Sequence, residues 1–303
     1  MKESPIISQT QGVHAQIESS KVPYTDNGLQ YLNYAVNVDI TDGGKILRRR
    51  GYTATTHTDS AHSIYAYNGK GYCVLGTDLY MLDQGLNKYG VRHNFSSRRV
   101  RYQGVGDKVY YSNGVLNGYI KAGVSHPWQP DSYVGPDEDV EGLKITAPPV
   151  GRHLALYKGR MFISENNVLW YTAPFWYDGL NRATDFIPFR ATIIMVLTLD
   201  NALLVGTEEE VFIISGATPD EFSIRTLLRK RVIEDTGVAA EGLGVKESTI
   251  PGKTAVFTTQ EGIYAVTNSG ELFDITGNRL ILPDSVSGSA YIKDNFYTVL
   301  IDE

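Results

Sequence analysis

Apolar and polar residues alternate with a period of two along most of the chain, and pairs of turn-forming residues interrupt the alternation. The segment LALYKGRMFISENNVLWYT, Leu154 to Thr172, contains apolar residues, a two-residue turn, an alternating strand, a polar turn and a second alternating strand. Alternation at every second residue is typical of a strand with one buried face, and such turn pairs favour tight hairpins. The pattern therefore predicts a unit built from β-hairpins.

The same unit recurs along the chain. Fuller copies run over Ile64–Asp83, Val196–Ser215 and Ala255–Thr276, and weaker ones begin at Gly104 and Ala290. Their turns recur at intervals of about 34 to 60 residues, the range of a four-stranded propeller blade with its loops. The predicted turn pairs are Asn68-Gly69, Asp107-Lys108, Lys158-Gly159, Asp200-Asn201, Glu261-Gly262 and Asp294-Asn295.

These repeats predict an all-β fold, a β-propeller of five to six blades. An irregular β-sandwich is the alternative, but a sandwich does not require its hairpins to resemble one another. Helical periodicity is weak throughout, and only RTLLRKRVIEDTG, residues 225 to 237, could form one short helix.

The two ends of the chain predict how the ring closes. Residues 1–50 are expected to be an N-terminal arm and closing strand, and residues 51–303 the β-propeller. The pieces GVHAQIES and YAVNVDI in the arm have no evident hairpin partner, and the last copy stops after about two strands. Because an unpaired blade edge would be exposed, we predict that the two ends complete one blade together.

Composition supports strands and turns. Thirty Gly and 20 Tyr stand against four Met in 303 residues that are 42% hydrophobic. No run of 18 apolar residues predicts a membrane span, so membrane insertion is not expected. The opening MKESPIISQTQGV lacks the apolar core of a signal peptide. The single cysteine, Cys73, excludes an internal disulfide and is predicted to be a small core residue.

Motifs for catalysis are not found. The six histidines are scattered without zinc spacing, no phosphate loop or sialidase-type turn occurs, and no pair of carboxylates stands out for glycoside hydrolysis. Glu208 to Glu210 are predicted to form a solvated turn, and Pro136 to Gly142 a loop. We therefore expect no enzymatic activity, no metal and no cofactor.

Charge is unevenly distributed. Between Lys45 and Lys108, eleven Lys and Arg against four Asp give +7, so the net charge of −6 leaves −13 for the remainder. The basic clusters could be a solvated surface paired with the acidic remainder, or they could bind nucleic acid without reading its sequence. In an extended strand Arg48 and Arg50 would share a face and Arg49 would point away. The candidate phosphate- or partner-facing residues are Arg48, Arg49, Arg50, Arg98, Arg99, Arg101, Arg229, Lys230 and Arg231.

One N-terminal segment resembles a known family. LNYAVNVDITDGGKILRRRGYT, Leu32 to Thr53, combines an Asn, a short strand, an Asp- and Gly-rich turn, an apolar pair, an Arg-rich step and Gly-Tyr. It is similar to the opening of phage virion proteins of the tail-hub type, also called nozzle or packaged-DNA stabilisation proteins, whose core is a β-propeller. The later segments ALYKGRMFISENNVLWYTAPF and VFTTQEGIYAVTNSGELFDIT also resemble that group.

The resemblance implies a structural component of a bacteriophage virion. Such a protein would be a subunit of a tail or neck hub or nozzle ring around the DNA channel, assembled in the host cytoplasm. It would stabilise packaged DNA and join the portal–adaptor complex to the tail. The implied partners are further copies in a homo-oligomeric ring, with a hexamer expected, the portal, adaptor and other tail proteins, and packaged DNA bound non-specifically.

Two alternatives belong to other functional classes. A carbohydrate-binding or carbohydrate-active propeller could use Trp170, Trp176 and Tyr177 as aromatic platforms. A cytoplasmic interaction hub of the repeat-propeller kind would be monomeric.

Overall fold

The protein is described by a computed structural model. It describes residues 10, 12–16, 31–36, 38–40, 44–48, 60–95, 98–130, 145–245, 248–249, 252–277, 279–293 and 296–302. In these ranges the regular structure consists of β-strands and one short 3-10 turn, Pro219–Glu221. The predicted all-β class is therefore confirmed.

The first three large sheets are antiparallel and each contains four strands. Sheet 1 contains β3 (Ala61–Tyr67), β4 (Lys70–Leu75), β5 (Asp78–Leu82) and β6 (Lys88–Arg92). Sheet 2 contains β7 (Arg101–Val105), β8 (Lys108–Ser112), β9 (Asn117–Lys121) and β10 (Val124–His126). Sheet 3 contains β12 (Leu154–Tyr157), β13 (Arg160–Glu165), β14 (Val168–Tyr171) and β16 (Phe186–Pro188).

Two further four-stranded sheets and a final two-stranded sheet follow. Sheet 4 contains β17 (Ile193–Thr198), β18 (Ala202–Thr207), β19 (Val211–Ser215) and β20 (Ser223–Leu228). Sheet 5 contains β21 (Val238–Glu241), β24 (Lys253–Thr259), β25 (Gly262–Val266) and β26 (Leu272–Asp274). Sheet 6 contains β27 (Gly288–Lys293) and β28 (Phe296–Ile301). Three small pairs complete the described strands: β1 (Val38–Ile40) with β2 (Ile46–Arg48), β11 (Ile145–Thr146) with β15 (Leu180–Asn181), and β22 (Gly244–Val245) with β23 (Ser248–Thr249).

The first strand of each large sheet contacts the first strand of the next. β3 contacts β7, β7 contacts β12, β12 contacts β17, β17 contacts β21 and β21 contacts β27. Successive antiparallel sheets arranged side by side through their first strands are the architecture of a β-propeller. The chain is an all-β β-propeller, as the hairpin repeats predicted, and its described residues form five four-stranded blades and a two-stranded sixth.

The hydrophobic core lies between neighbouring sheets. In β18 all six residues are buried, because both faces of sheet 4 are covered. Leu203 and Val205 pack with residues of sheet 3, whereas Leu204 packs with Phe257 of sheet 5. Cys73, with 2% of its surface exposed, is a core residue as predicted.

Several predicted turn pairs occupy the positions that the sequence indicated. Asn68-Gly69 have φ angles of +49° and +70°, and Lys158-Gly159 have +47° and +73°. Both pairs therefore adopt the left-handed conformation of the turns that suit a two-stranded ribbon. Asp200-Asn201 connect β17 to β18, with the Leu199 N–H donating to the Ala202 carbonyl at 2.8 Å.

Other local predictions need correction. The turns predicted at Asp107-Lys108 and Glu261-Gly262 begin one residue earlier, because Lys108 and Gly262 already pair with the preceding strand. Asp294-Asn295 lie outside the described residues. The segment offered as a short helix begins in strand β20 and continues without helical structure.

The N-terminal arm also departs from its prediction. The piece YAVNVDI was expected to lack a hairpin partner, but its last residues form β1 and pair with β2. The arm does reach the C-terminal part of the chain, since the Ala15 N–H donates to the Arg279 carbonyl at 2.7 Å. Among the described residues β28 pairs with β27 alone, so pairing of an arm strand into sheet 6 stays a prediction for residues outside the described ranges.

Candidate functional site: the ring axis and the outward face of sheet 6

The segments that precede the first strands of several sheets meet at one end of the ring, which we call the leading face. The Gly288 N–H, where β27 begins, donates to the Glu234 carbonyl at 2.9 Å, just before β21. The Gly114 N–H, after β8, donates to the Gly151 carbonyl at 2.9 Å, just before β12. Functional side chains in these short segments are therefore brought together although they are far apart in sequence.

Two of the candidate arginines lie at this axis, where they bind the same carboxylate. Arg99 Nη1 lies 2.9 Å from Asp235 Oδ2, and Arg101 pairs with the other oxygen of Asp235. Arg99 also donates to the Gly288 carbonyl and lies 3.4 Å from Asp302 of the C-terminal segment. These contacts join sheet 2 to sheets 5 and 6 across the axis.

A second ion pair lies beside the first. Arg152 Nε is 2.6 Å from Glu234 Oε1, and His153 Nε2 is 3.7 Å from the same oxygen. Burial, assisted by the positive charges of Arg101 and Arg152, lowers the pKa of His153 well below its ordinary value. His153 is therefore neutral near pH 7, and its Nε2 has no hydrogen-bond partner among the described residues.

Burial dominates the electrostatics of this group, which we call the axial cluster: Arg99, Arg101, Arg152, His153, Glu234, Asp235 and Asp302. Burial raises the pKa of Glu234, and the neighbouring guanidinium groups of Arg152 and Arg101 oppose that rise. The Arg101 side chain keeps 34% of its surface exposed, yet the atoms packed around its guanidinium lower its pKa to about 10. Arg101 still carries its charge near pH 7, so the cluster acts as a set of ion pairs between sheets.

The third basic run lies elsewhere and has a different environment. Arg229 pairs with Glu210 at 3.2 Å, and 85% of its side chain is exposed. Arg231 pairs with Glu208 at 3.3 Å, and Lys230 pairs with Glu261. These contacts agree with the interpretation that the basic run is a surface paired with acidic residues of the same chain. Exposed ion pairs of this kind contribute about 0 to 1 kcal/mol each to the free energy of unfolding.

The remaining candidate arginines are only partly described. Arg48 ends β2 and is exposed, whereas Arg49 and Arg50 lie outside the described residues. Their predicted alternation therefore stays a prediction. Arg98 is exposed and lies beside the axial cluster on the leading face.

The aromatic residues considered as sugar platforms contact other parts of the chain. Trp170 Nε1 donates to Glu165 at 3.1 Å, and its ring lies 5.5 Å from that of Phe186. The Tyr177 carbonyl accepts a hydrogen bond from Trp128 at 2.9 Å. Trp170 and Tyr177 pack against the core between sheets 2 and 3, and Trp176 is half-buried.

Three smaller findings concern the acidic turn, metal binding and membrane-spanning helices. Glu208 to Glu210 form the hairpin tip between β18 and β19, as predicted, with Glu208 and Glu209 exposed. Among the described residues no group of three or more His, Cys, Asp or Glu side chains is placed to hold a metal ion. No described helix is long and apolar enough to cross a membrane.

Sheet 6 has an exposed apolar face, which sequence reasoning did not identify. The register pairs Ser289 with Leu300, Tyr291 with Thr298 and Lys293 with Phe296, so these six side chains share one face, which we call the outward face. Tyr291, Phe296 and Leu300 are 53%, 55% and 68% exposed. The alternation in AYIKDNFYTVLIDE predicts two faces but does not indicate which of them remains uncovered.

The opposite, inward face packs on sheet 5. Ile292 and Tyr297 pack against a buried cluster of Leu243, Val256 and Ala265. The Tyr297 hydroxyl donates to the Thr236 carbonyl at 2.7 Å and lies 2.8 Å from Thr258 Oγ1. Burial raises the pKa of Tyr297 to about 12. Sheet 6 thus packs against sheet 5 on its inward face, whereas Tyr291, Phe296 and Leu300 on its outward face are largely exposed.

Comparisons with known proteins concern the fold. No protein-family model matches the sequence, and no curated protein sequence matches it. Solved structures do resemble it. PorZ, an essential bacterial surface component of the type-IX secretion system of Porphyromonas gingivalis, is 11% identical with a TM-score of 0.50, and the match covers 80% of this chain and 30% of that one.

Two other similar structures are BBS1N in complex with ARL6DN and the WD40 β-propeller domain of Doa1. The first is 10% identical with a TM-score of 0.47, covering 84% of this chain and 79% of that one. The second is 11% identical with a TM-score of 0.41, covering 72% and 69%. This chain spans less than a third of the length of the PorZ structure, and the similarities extend to the fold alone.

Proposed function

We propose that the protein is a structural subunit of a bacteriophage virion, within a tail or neck hub or nozzle ring around the DNA channel. In this role it stabilises packaged DNA and joins the portal–adaptor complex to the tail. It assembles in the host cytoplasm as a homo-oligomeric ring, for which six copies are expected. The proposal rests on the resemblance of Leu32 to Thr53 to tail-hub proteins and on the surface of the propeller.

The outward face of sheet 6 is the observation that carries the proposal. Three large apolar side chains, Tyr291, Phe296 and Leu300, lie together on one face of a sheet and are each more than half exposed. Contiguous exposed apolar surface supports a protein–protein contact. The occupant that we propose is a neighbouring copy of this chain.

The distribution of charge supports the same occupant. Arg99, Arg101 and Lys108 of the +7 segment pair with Asp235 and Asp178 of the same chain. The other basic residues of that segment and the acidic residues of the −13 remainder favour contacts between unlike surfaces of successive copies. Contacts between unlike surfaces close into rings when the rotation between copies is suitable. Ring assembly is the property that a hub around a DNA channel requires.

Deletion of the gene from a phage that carries it tests the proposal. Particles assembled without the protein should package DNA and then lose it, because the channel below the portal would lack its ring. Mass spectrometry of complete particles should find the chain as a stoichiometric component, and antibody labelling should place it at the tail or neck. Deletion particles that retain their DNA and infect normally would contradict the proposal.

A further inference from the structure

His153 is a buried titratable side chain at the ring axis. Only 5% of the side chain is exposed. Its backbone is fixed to sheet 3, because the His153 N–H donates to Ser164 Oγ at 3.0 Å and the His153 carbonyl accepts from the Ser164 N–H at 3.1 Å. Its Nε2 lies 3.7 Å from Glu234 Oε1, which is too far for a hydrogen bond, and has no other partner among the described residues. The neutral ring fits this position, whereas a charged ring there would lack both water and a hydrogen-bonded counter-ion.

Glu234 is fixed on the other side of the axis. Its N–H donates to the Val286 carbonyl at 3.0 Å, and its carbonyl accepts from the Gly288 N–H at 2.9 Å. These bonds hold the Glu234 backbone between sheets 5 and 6. The approach of His153 to Glu234 therefore spans the axis from sheet 3 to sheet 5, and a change of charge at His153 acts on the contact between these sheets.

The charged groups around His153 are already paired with one another. Two guanidinium groups act on the ring, Arg101 from sheet 2 and Arg152 from the adjacent position. Glu234 Oε1, the carboxylate oxygen that faces His153, is paired with Arg152 Nε at 2.6 Å. The other charged groups of the axial cluster form ion pairs among themselves: Arg99, Arg101, Asp235 and Asp302. A positive charge on His153 could therefore gain a counter-ion in this cluster only by taking it from an arginine.

We propose that this arrangement is a pH-sensitive contact: when His153 takes up a proton from solvent, it displaces Arg152 from Glu234 and loosens sheet 3 from sheet 5 on the leading face. Both nitrogens of a protonated imidazole are donors, so Nε2–H then competes with Arg152 for the same carboxylate oxygen. The Arg152 side chain is 56% exposed and can move into solvent, whereas the His153 side chain is buried. The contact lies within one chain, so its response to pH does not depend on assembly of several copies.

The direction of the pH dependence follows from the burial of the ring. Burial, and then the positive charges of Arg101 and Arg152, lower the pKa of His153 well below its ordinary value of 6.5. The neutral imidazole therefore contributes stability that is present above about pH 6.5 and is lost as the pH falls below it. Glu234 acts in the opposite sense, because burial raises its pKa above the ordinary 4.5 and its protonation favours the folded chain. Variants that keep Glu234 share that second effect, so comparing them isolates His153.

Urea denaturation of the purified full-length chain at a series of pH values tests the proposal. The urea midpoint of the wild type should fall between about pH 7.5 and about pH 5.5. His153→Gln has a side chain that is neutral at every pH, so it should lose most of that fall. The matched control is His93→Gln, at a histidine whose side chain is 72% exposed, and it should follow the wild type. An equal fall in His153→Gln and the wild type would overturn the proposal.

A second variant keeps the test decisive if His153→Gln fails to fold. Arg152→Gln removes the cation that competes for Glu234 and one positive charge beside the ring. The pKa of His153, measured by NMR titration of its ring signals, should therefore rise by about one. Arg229→Gln is the control, because that side chain is 85% exposed and pairs with Glu210 on another surface. The same His153 pKa in both arginine variants would contradict the proposal.

Hydrogen exchange of backbone amides shows where the chain opens. After correction for the intrinsic effect of pH on exchange, the Glu234 and Gly288 amides should lose protection in the wild type between about pH 7.5 and about pH 5.5. The Leu199 amide, which donates to the Ala202 carbonyl in sheet 4, is the internal control and should keep its protection. An equal loss of protection at Leu199 would mean that the whole chain unfolds, and it would overturn the assignment of the pH response to the axis.

Discussion

The two faces of sheet 6 have similar sequences but different environments. Each face carries a tyrosine and further apolar residues, and the residues of both faces alternate along the same segment, AYIKDNFYTVLIDE. On the inward face the Tyr297 hydroxyl is held by Thr236 and Thr258. On the outward face Tyr291 is 53% exposed. The difference lies in what covers each face: sheet 5 covers one, and on the other these apolar side chains remain largely exposed.

This comparison separates two roles for apolar residues in a propeller. Inward-facing side chains attach one sheet to the next and stabilise the ring. The exposed outward-facing side chains of sheet 6 add little to the stability of the isolated chain, yet provide surface for a partner. Substitutions on the two faces should therefore change different measurements.

The largest effect on stability is expected from the ion pairs at the axis, where sheet 6 meets its neighbours. Asp235→Ala removes the shared partner of Arg99 and Arg101 from a side chain that is only 7% exposed. Loss of one partner from a buried pair leaves charge uncompensated, so the free energy of unfolding should fall by about 3 kcal/mol. Urea denaturation measures this change. Asp107→Ala is the control, since Asp107 forms an exposed pair with Lys121 and should cost less than about 1 kcal/mol.

The second largest effect on stability is expected from substitution of the inward tyrosine, Tyr297, and the outward tyrosine, Tyr291, serves as its comparison. Tyr297→Ala should reduce the free energy of unfolding by about 2 to 3 kcal/mol, because it empties the contact between sheets 5 and 6. Tyr291→Ala should cost less than about 0.5 kcal/mol, because that ring is more than half exposed. Equal losses of stability in the two variants would show that the two faces of sheet 6 contribute equally to the stability of the isolated chain.

A substitution that removes only the Tyr297 hydroxyl should have a smaller effect on stability. Tyr297→Phe keeps the ring but removes the hydrogen bond to the Thr236 carbonyl, which should lower the free energy of unfolding by about 1 kcal/mol. Thermal unfolding should show a reduced Tm with unchanged cooperativity. A Tm equal to that of the wild type would mean that the inward face is held by apolar packing alone.

The smallest effect on stability is expected at Leu300. Leu300→Lys replaces a side chain that is 68% exposed, so the free energy of unfolding should change by less than about 0.5 kcal/mol. A larger loss, measured by urea denaturation, would indicate that the outward face is covered in the isolated chain.

Much of the fold could be predicted from local sequence. Alternation and turn pairs such as Asn68-Gly69 and Lys158-Gly159 act over a few residues, so hairpins and their number follow from the pattern. The hairpin of β1 and β2 was not predicted although an Asp- and Gly-rich segment follows Ile40, because five residues separate the two strands and the repeated hairpins were identified by two-residue turns. The exact turn positions at Asp107 and Glu261 moved by one residue because strand pairing extended beyond the predicted strand ends.

The candidate site could be predicted only in part. The sequence indicated that Arg99 and Arg101 belong to a basic cluster, but their partner Asp235 follows more than 130 residues later. A local sequence pattern cannot predict a contact between charges so far apart in the sequence. The arrangement of the sheets in the ring brings these charges together. The run from Arg229 to Arg231 gave the same local pattern, yet it lies on an exposed surface with acidic neighbours.

Chemical cross-linking of assembled particles tests the central claim, that the outward face of sheet 6 is the contact between copies. Wild-type particles should give a ladder of species up to the full ring. Particles built with Leu300→Lys should lose that ladder, whereas Val124→Lys, a matched change at an exposed residue of β10, should preserve it. Only monomer-sized species from the wild type, or an unchanged ladder from Leu300→Lys, would contradict the claim.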